Sequence, residues 1–152
     1  MRARQGMTRP QTVLAFDFGL KRIGIAGGDT LTRQATARAA ATVQGGTPDW
    51  QAIAREVRAL TPAVLIVGAP YNADGSEGTL LARARRFAAE LERRFALPVQ
   101  LVDERFSSLE AHQALKARRA SGRRGRIERA AIDSAAAAVI LGRWFQGEGQ
   151  GT

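Results

Sequence analysis

Short apolar runs alternate along this chain with longer segments of helical periodicity, and this alternation predicts a mixed α/β fold. The first run, from Val13 to Asp17, is apolar on both faces, which is typical of a central strand in a covered sheet. Residues 31–43 fit a third, edge-like strand because threonine alternates there with small residues, although their alanines also favour a helix. We predict strands at 13–17, 23–28, 31–43, 63–68 and 98–104.

Between and after these strands, apolar side chains recur with the period of an amphipathic helix. Thr47 is a candidate N-cap, with Pro48 at the first helical position, for a helix that ends near Leu60. Further helices are predicted at 77–95, from Ser107 onward and at 128–145. The residues Ser107 and Glu110 have the spacing of a capping box, so the helix that begins at Ser107 should start directly after the last strand.

The order of elements restricts the topology of the sheet. Strands 1, 2 and 3 form an antiparallel meander, whereas helices between strands 3, 4 and 5 imply right-handed crossovers and parallel pairing. The expected sheet order is therefore 3-2-1-4-5, with helices on its faces. In this arrangement the carboxyl ends of strands 1, 4 and 5 share one edge, where open α/β sheets bind ligands.

Composition and charge narrow the class of protein. The chain has 152 residues, 45% of them hydrophobic, and no cysteine, which excludes disulfides and thiolate metal sites. We expect a mobile lead at residues 1–11, a single domain at 12–146 and a flexible tail at 147–152. No signal peptide or membrane span is recognisable, so we expect a cytoplasmic protein. The net charge of +9 favours a polyanionic partner, nucleic acid first, over a merely solvated basic surface.

Acidic residues are expected to converge at the ligand-binding edge of the sheet. Asp17 ends the first strand, Asp103 and Glu104 end the fifth, and Asp133 lies on a small, apolar face of the last predicted helix. Carboxylates gathered in this way repel one another unless cations bridge them. Oxygen ligands without histidine or cysteine suit Mg²⁺ or Mn²⁺, and two such ions are suited to phosphodiester hydrolysis. The alternative is that these acids merely pair with arginines such as Arg105.

Four motifs in this order give the chain a resemblance to a known family. They are Asp17-Phe-Gly-Leu-Lys-Arg-Ile-Gly, Val67-Gly-Ala-Pro-Tyr-Asn-Ala-Asp-Gly-Ser, Val102-Asp-Glu-Arg-Phe-Ser and Ile132-Asp-Ser-Ala. Together they resemble the YqgF/RuvX family of pre-16S rRNA nuclease and Holliday-junction resolvase-like proteins, over roughly residues 12 to 144. The resemblance implies an RNase H-like fold related to the RuvC resolvases. It also implies that Asp17, Glu104 and Asp133 are the catalytic, metal-binding acids of a two-ion Mg²⁺ or Mn²⁺ site.

Other residues are assigned supporting roles. Because adjacent strand residues face opposite ways, Asp103 and Glu104 cannot both point into one site, and Asp103 would then support the acids or pair with an arginine. Arg105 and Ser107 are further candidates near the acids, with Ser107 better explained as a helix cap. The candidate nucleic-acid contacts are Lys21, Arg22, Tyr71, Asn72, Arg118, Arg119, Arg123, Arg124 and Arg126.

The favoured hypothesis is a metal-dependent nuclease that acts on precursor 16S rRNA, on branched DNA or on both, with ribosomal particles as further candidate partners. One alternative is a non-catalytic RNA-binding factor in ribosome maturation, and another is the nucleotide-binding half of an actin-like or sugar-kinase-like fold. Symmetric cutting of a four-way junction requires two active sites and hence a homodimer. Trp144 and Phe145 belong either to such a dimer surface or to the core.

Overall fold

The computed structural model describes residues 9–69, 78–103 and 134–147, which form a three-layer α/β structure. Within these ranges it has six strands and three helices. The strands are β1 (Thr12–Phe18), β2 (Arg22–Asp29), β3 (Ala35–Gln44), β4 (Thr47–Pro48), β5 (Val64–Ala69) and β6 (Val99–Asp103). The helices are α1 (Trp50–Leu60), α2 (Thr79–Phe95) and α3 (Ala135–Gln146).

All six strands form one sheet in the order β4-β3-β2-β1-β5-β6. The β1–β2, β2–β3 and β3–β4 pairs are antiparallel, whereas β1–β5 and β5–β6 are parallel. The predicted 3-2-1-4-5 order is therefore confirmed, with one short strand added at the edge next to β3. The predicted third strand is also confirmed, although β3 begins at Ala35 and not at residue 31.

The segment that links β3 to α1 differs from the prediction. Thr47 and Pro48 do not begin the helix; they pair with Gln44 and Val43 across a two-residue turn. Gly45 and Gly46 form that turn with positive φ angles of 58° and 81°, a conformation that glycine adopts without a Cβ clash. The N-cap of α1 is instead Asp49, whose carboxylate accepts a hydrogen bond from the backbone N–H of Ala52 at 3.1 Å.

Side chains of β1 alternate between two hydrophobic cores on opposite faces of the sheet. Leu14, Phe16 and Phe18 pack with α1 and α2, while Val13 and Ala15 pack with α3. The residues Val13 to Phe16 are completely buried, as predicted for a central strand with both faces covered. This strand therefore holds its carboxyl end rigidly between the two helical layers.

Several predicted boundaries can be compared with these elements. The helix predicted at 77–95 is α2, which starts at Thr79, and the helix predicted at 128–145 is described from Ala135, with Ser134 as its N-cap. The capping box at Ser107 and Glu110 lies outside the described residues. In the described ranges, none of the helices has the length and apolar character needed to cross a membrane.

Candidate functional site

Asp17 lies near the carboxyl end of β1, on the face of the sheet that α3 covers. It is the penultimate residue of the strand and shares its face with Val13 and Ala15, which belong to the α3-side core. These two residues are completely buried, whereas Asp17 is half-buried. The carboxylate therefore stands where the covered part of this face gives way to solvent.

The carboxyl ends of the parallel strands meet at the same edge as Asp17. Phe16 of β1 pairs with Val67 of β5, and Val67 pairs with Leu101 of β6, so these residues form one row across the sheet. Asp17 follows this row by one residue in β1, and Asp103 follows it by two in β6, where its backbone pairs with β5. The edge predicted from the element order is therefore present.

A single buried hydroxyl fixes the start of α3 against the sheet. Ser134 is completely buried, and its Oγ accepts a hydrogen bond from the backbone N–H of Ile25 at 2.9 Å. The same Oγ donates to the backbone carbonyl of Arg38 at 2.6 Å. The pairing of β2 with β3 is irregular between Ile23 and Ile25, so the hydroxyl bridges the two strands beside this irregularity.

The position of this bridge relates α3 to Asp17. Gly24, the residue just before Ile25, is the partner of Asp17 in the β1–β2 pair. Directly opposed residues in antiparallel strands have Cα atoms about 4.5–5.5 Å apart. The Ser134 hydroxyl thus binds β2 one residue away from the position opposite Asp17. The amino end of α3 and the carboxyl end of β1 consequently meet on one face.

A second contact ties α3 to β6 on this same face. The indole Nε1 of Trp144 donates a hydrogen bond to Oε1 of Gln100 at 3.0 Å, and Val102 belongs to the α3-side core. Gln100 and Val102 therefore present their side chains toward α3, as alternate residues of a strand do. Trp144 and Phe145 are 7% and 2% exposed, which assigns both residues to the core of this chain rather than to an exposed apolar surface.

Two of the predicted nucleic-acid contacts lie where β1 connects to β2, Lys21 in the turn and Arg22 as the first residue of β2. Lys21 and Arg22 are both exposed, and the backbone carbonyl of Lys21 accepts a hydrogen bond from the backbone N–H of Val43 at 2.8 Å. A Cβ at Gly19 would lie 2.6 Å from the Arg22 carbonyl oxygen, so this tight turn requires glycine. The β1–β2 connection therefore holds two cationic residues close to the end of β1.

The remaining predicted site residues fall in parts of the chain that the structure does not describe. In the described ranges, no three histidine, cysteine, aspartate or glutamate residues are grouped closely enough to hold a metal ion. The candidates that lie outside those ranges are Glu104, Asp133, Arg105, Ser107, Tyr71, Asn72, Arg118, Arg119, Arg123, Arg124 and Arg126.

Sequence reasoning missed Ser134, although this residue positions the start of α3. A serine before an alanine-rich helix is an ordinary N-cap signal, and the sequence gives no sign that its hydroxyl bonds to strands more than 90 residues away. Its place directly after Asp133 was the one available hint.

Comparison with known proteins gives matches over most of the chain. A family model described as "RuvX: Holliday junction resolvase" matches residues 11–147. A protein of Xanthomonas campestris pv. campestris named "Putative pre-16S rRNA nuclease" is 45% identical over 148 residues, which cover 97% of this chain and 96% of that protein. A protein of the same name from Yersinia pestis (strain Pestoides F) is 44% identical over 135 residues, covering 89% and 94% of the two chains.

A solved structure shares the fold at low sequence identity. T. thermophilus RuvC in complex with a Holliday junction substrate superposes with a TM-score of 0.52 and 14% identity, covering 92% of this chain and 96% of that one. The likeness confirms the predicted RNase H-like architecture, in which a mixed sheet carries helices on both faces.

Proposed function

The chain belongs to the RuvX family, and we propose that it is a metal-dependent nuclease whose catalytic acids are Asp17, Glu104 and Asp133. The proposed reaction is hydrolysis of a phosphodiester bond in structured nucleic acid. The observation that carries this proposal is the Ser134 bridge, because it joins the start of α3 to β2 beside the residue opposite Asp17.

The described neighbours of the other two acids support the proposed grouping. Asp133 is the residue before Ser134 in the sequence, so it adjoins the end of α3 that is anchored beside Asp17. Glu104 comes two residues after Val102 in the sequence, and the side chains of Gln100 and Val102 face α3. Asp17 is on that same face. We therefore propose that these three acids, which are far apart in the sequence, meet at one corner of the fold.

Carboxylates alone make a donor set that suits Mg²⁺ or Mn²⁺, and we propose that these acids hold two such ions. When bound, the ions would supply an activated water and stabilise the leaving oxygen. The protein's own contribution is to hold Asp17 at the rigid end of a strand buried on both faces. Asp17→Asn keeps the shape of this side chain and removes the charge of one proposed ligand.

The names of the relatives support two substrates for this site: the precursor of 16S rRNA and the Holliday junction. We propose precursor 16S rRNA first, because both relatives described above are named after it. Lys21 and Arg22 at the β1–β2 connection, together with the arginines at 118–126, would contact the phosphate backbone. Action on rRNA precursors or chromosomal DNA would place the protein in the cytoplasm, with ribosomal particles as partners.

The test is a cleavage assay with precursor 16S rRNA and a four-way DNA junction, each with Mg²⁺, with Mn²⁺ and with EDTA. Asp17→Asn should lower the cleavage rate by about 100-fold or more, as loss of an electrostatic catalytic group does. The matched control is Asp49→Asn, the same chemical change at the N-cap of α1, where asparagine caps as well as aspartate. The control should cut like the unchanged protein.

Two results would contradict the proposal. Cleavage by Asp17→Asn at the unchanged rate would locate the active site elsewhere. Salt-sensitive RNA binding by the unchanged protein without cleavage in either metal would favour the non-catalytic ribosome-maturation factor.

If the junction is cut symmetrically, sedimentation should show two copies on each junction, since two active sites are then needed.

A further inference from the structure

A cavity of about 320 Å³ lies between the β3–β4 turn and α2, on the face of the sheet opposite Asp17. Its floor is aromatic and consists of Phe18, Trp50 and Phe87. Phe18 is the residue after Asp17 and the last residue of β1. The cavity therefore begins at the same carboxyl edge of the sheet as the proposed active site, but on the other side.

The aromatic floor is a rigid surface. The ring of Phe87 lies 5.5 Å from that of Trp50 in a stacked arrangement and 5.3 Å from that of Phe18. Phe18 and Phe87 are 8% and 4% exposed, so the surrounding core holds both rings in place. An open, preformed floor of this kind suits the flat, apolar face or edge of a ligand.

The wall formed by α2 is positively charged. Arg83 and Arg86 line the cavity one helical turn apart and are exposed. In the described ranges, neither guanidinium pairs with a carboxylate. Arginine binds phosphate oxygens well because its planar fork can donate two hydrogen bonds in parallel.

Among the described residues that line the cavity there is one acid, and its charge is paired with other arginines. Glu90 accepts hydrogen bonds from Arg93 and from Arg94, the latter at 2.7 Å. The hydrogen bond from Arg93, followed by the one from Arg94, lowers the pKa of the Glu90 carboxyl below its ordinary value. Arg94 also stacks over the Trp50 ring at 4.2 Å. The Glu90 charge is thus directed at Arg93 and Arg94, and it does not cancel Arg83 and Arg86.

The opposite wall is formed by backbone and small side chains. Gly46, Thr47 and Pro48 of the β3–β4 turn line this side, and a Cβ at Gly46 would meet nothing within 4 Å. The cavity thus combines an apolar floor, two cationic groups and an open rim. These features match one nucleotide unit, whose phosphate would meet the arginines while its sugar and base lie against the floor.

We infer that this cavity, which we call the α2 pocket, binds a nucleotide of a single-stranded flank of the nucleic-acid substrate. The inference rests on the proposed nuclease function for its substrate class. A nucleic-acid strand that crosses the carboxyl edge of the sheet would run past the end of β1, from the Asp17 side to the α2 pocket. The pocket would then position the substrate, and it takes no part in bond cleavage.

The test is equilibrium binding of a fluorescein-labelled single-stranded RNA oligonucleotide in EDTA, where cleavage does not interfere. Arg83→Gln combined with Arg86→Gln should weaken binding about 10-fold. The slope of log K against log salt should become shallower by about 0.7 to 1.4, because each phosphate contact to a single strand contributes about 0.7. The matched control combines Arg55→Gln with Arg58→Gln, which removes the same charge from exposed positions of α1 outside the pocket.

A second variant and a local reporter keep the result specific to the pocket. Thr47→Glu adds a negative charge at the exposed rim and should also weaken binding about 10-fold. In a Trp144→Phe background the one remaining tryptophan is Trp50, whose fluorescence should change on addition of the oligonucleotide.

Three results of these binding measurements would overturn the proposed α2 pocket. Equal weakening by the α1 control pair would show general electrostatic attraction and overturn the pocket, as would unchanged binding by the α2 pair. Binding of uridine monophosphate as tight as that of the oligonucleotide would show a free-nucleotide site, which also overturns the inference. The two proposals fail separately, because Asp17→Asn is judged by cleavage and the α2 pair is judged by binding without metal.

Discussion

Removal of the Ser134 hydroxyl should destabilise the protein far more than loss of a typical serine. Ser134→Ala deletes the atom that accepts from the Ile25 N–H and donates to the Arg38 carbonyl, at 2.9 and 2.6 Å. The serine is completely buried, so water does not readily replace it. A buried donor or acceptor left without a partner costs about 1–3 kcal/mol. The carbonyl retains a second lone pair, so we expect the two losses together to cost about 2–4 kcal/mol.

This loss is a large share of the stability of a single domain, which is typically about 5–15 kcal/mol. Urea unfolding followed by circular dichroism should show the midpoint lowered by about 1–2 M, with a denaturant dependence near 2 kcal/mol/M. The matched control is Thr30→Ala, which removes a hydroxyl that accepts from the exposed backbone N–H of Gln11 at 2.9 Å. Because water can bind that N–H in the variant, the control should lose less than about 1 kcal/mol.

The same variant also tests the link between α3 and the proposed active site. Under conditions where Ser134→Ala remains folded, its cleavage rate should fall because the chain next to Asp133 has lost its anchor to β2. Equal destabilisation by Ser134→Ala and Thr30→Ala would refute the reasoning about the buried bridge. If Ser134→Ala loses the expected stability but cleaves at an unchanged rate, the bridge does not position the active site.

Two further predictions concern the far end of the sheet. Gly28→Ala should lower the free energy of unfolding by about 1–3 kcal/mol. The new Cβ would lie 2.2 Å from the Gln34 carbonyl oxygen and 3.0 Å from the Phe145 ring. A melting temperature equal to that of the unchanged protein would contradict this. Hydrogen bonds from the backbone N–H of Thr32, and also from that of Leu31, lower the pKa of the Asp29 carboxyl. Its stabilising contribution is therefore present above the pKa of the unfolded chain and is lost as pH falls through the lowered folded value. Urea midpoints of the unchanged protein and Asp29→Asn should accordingly converge in acid, and a gap that does not depend on pH would count against this account.

The strands could be predicted because alternate residues of a strand show which of its faces are apolar and therefore buried. The run Val13 to Asp17 is apolar on both faces, and β1 is indeed buried on both sides. Helices between parallel strands allow few topologies, so the order of the sheet followed from the order of elements. The error at Thr47 and Pro48 has a local cause. Asp49 is an equally good N-cap, and the preceding two glycines allow a tight hairpin that uses Thr47 and Pro48 as a strand.

The sequence by itself determined the family, the order of the sheet and the placement of Asp17 at the carboxyl end of a buried strand. These properties depend on periodicity and on motifs that are contiguous in the chain. Only the tertiary structure decided that the Ser134 hydroxyl bridges β2 and β3, that Trp144 and Phe145 belong to the core, and that Arg83 and Arg86 face an aromatic floor. Each of these contacts joins residues from separate elements, and their geometry is set by how the helices pack on the sheet.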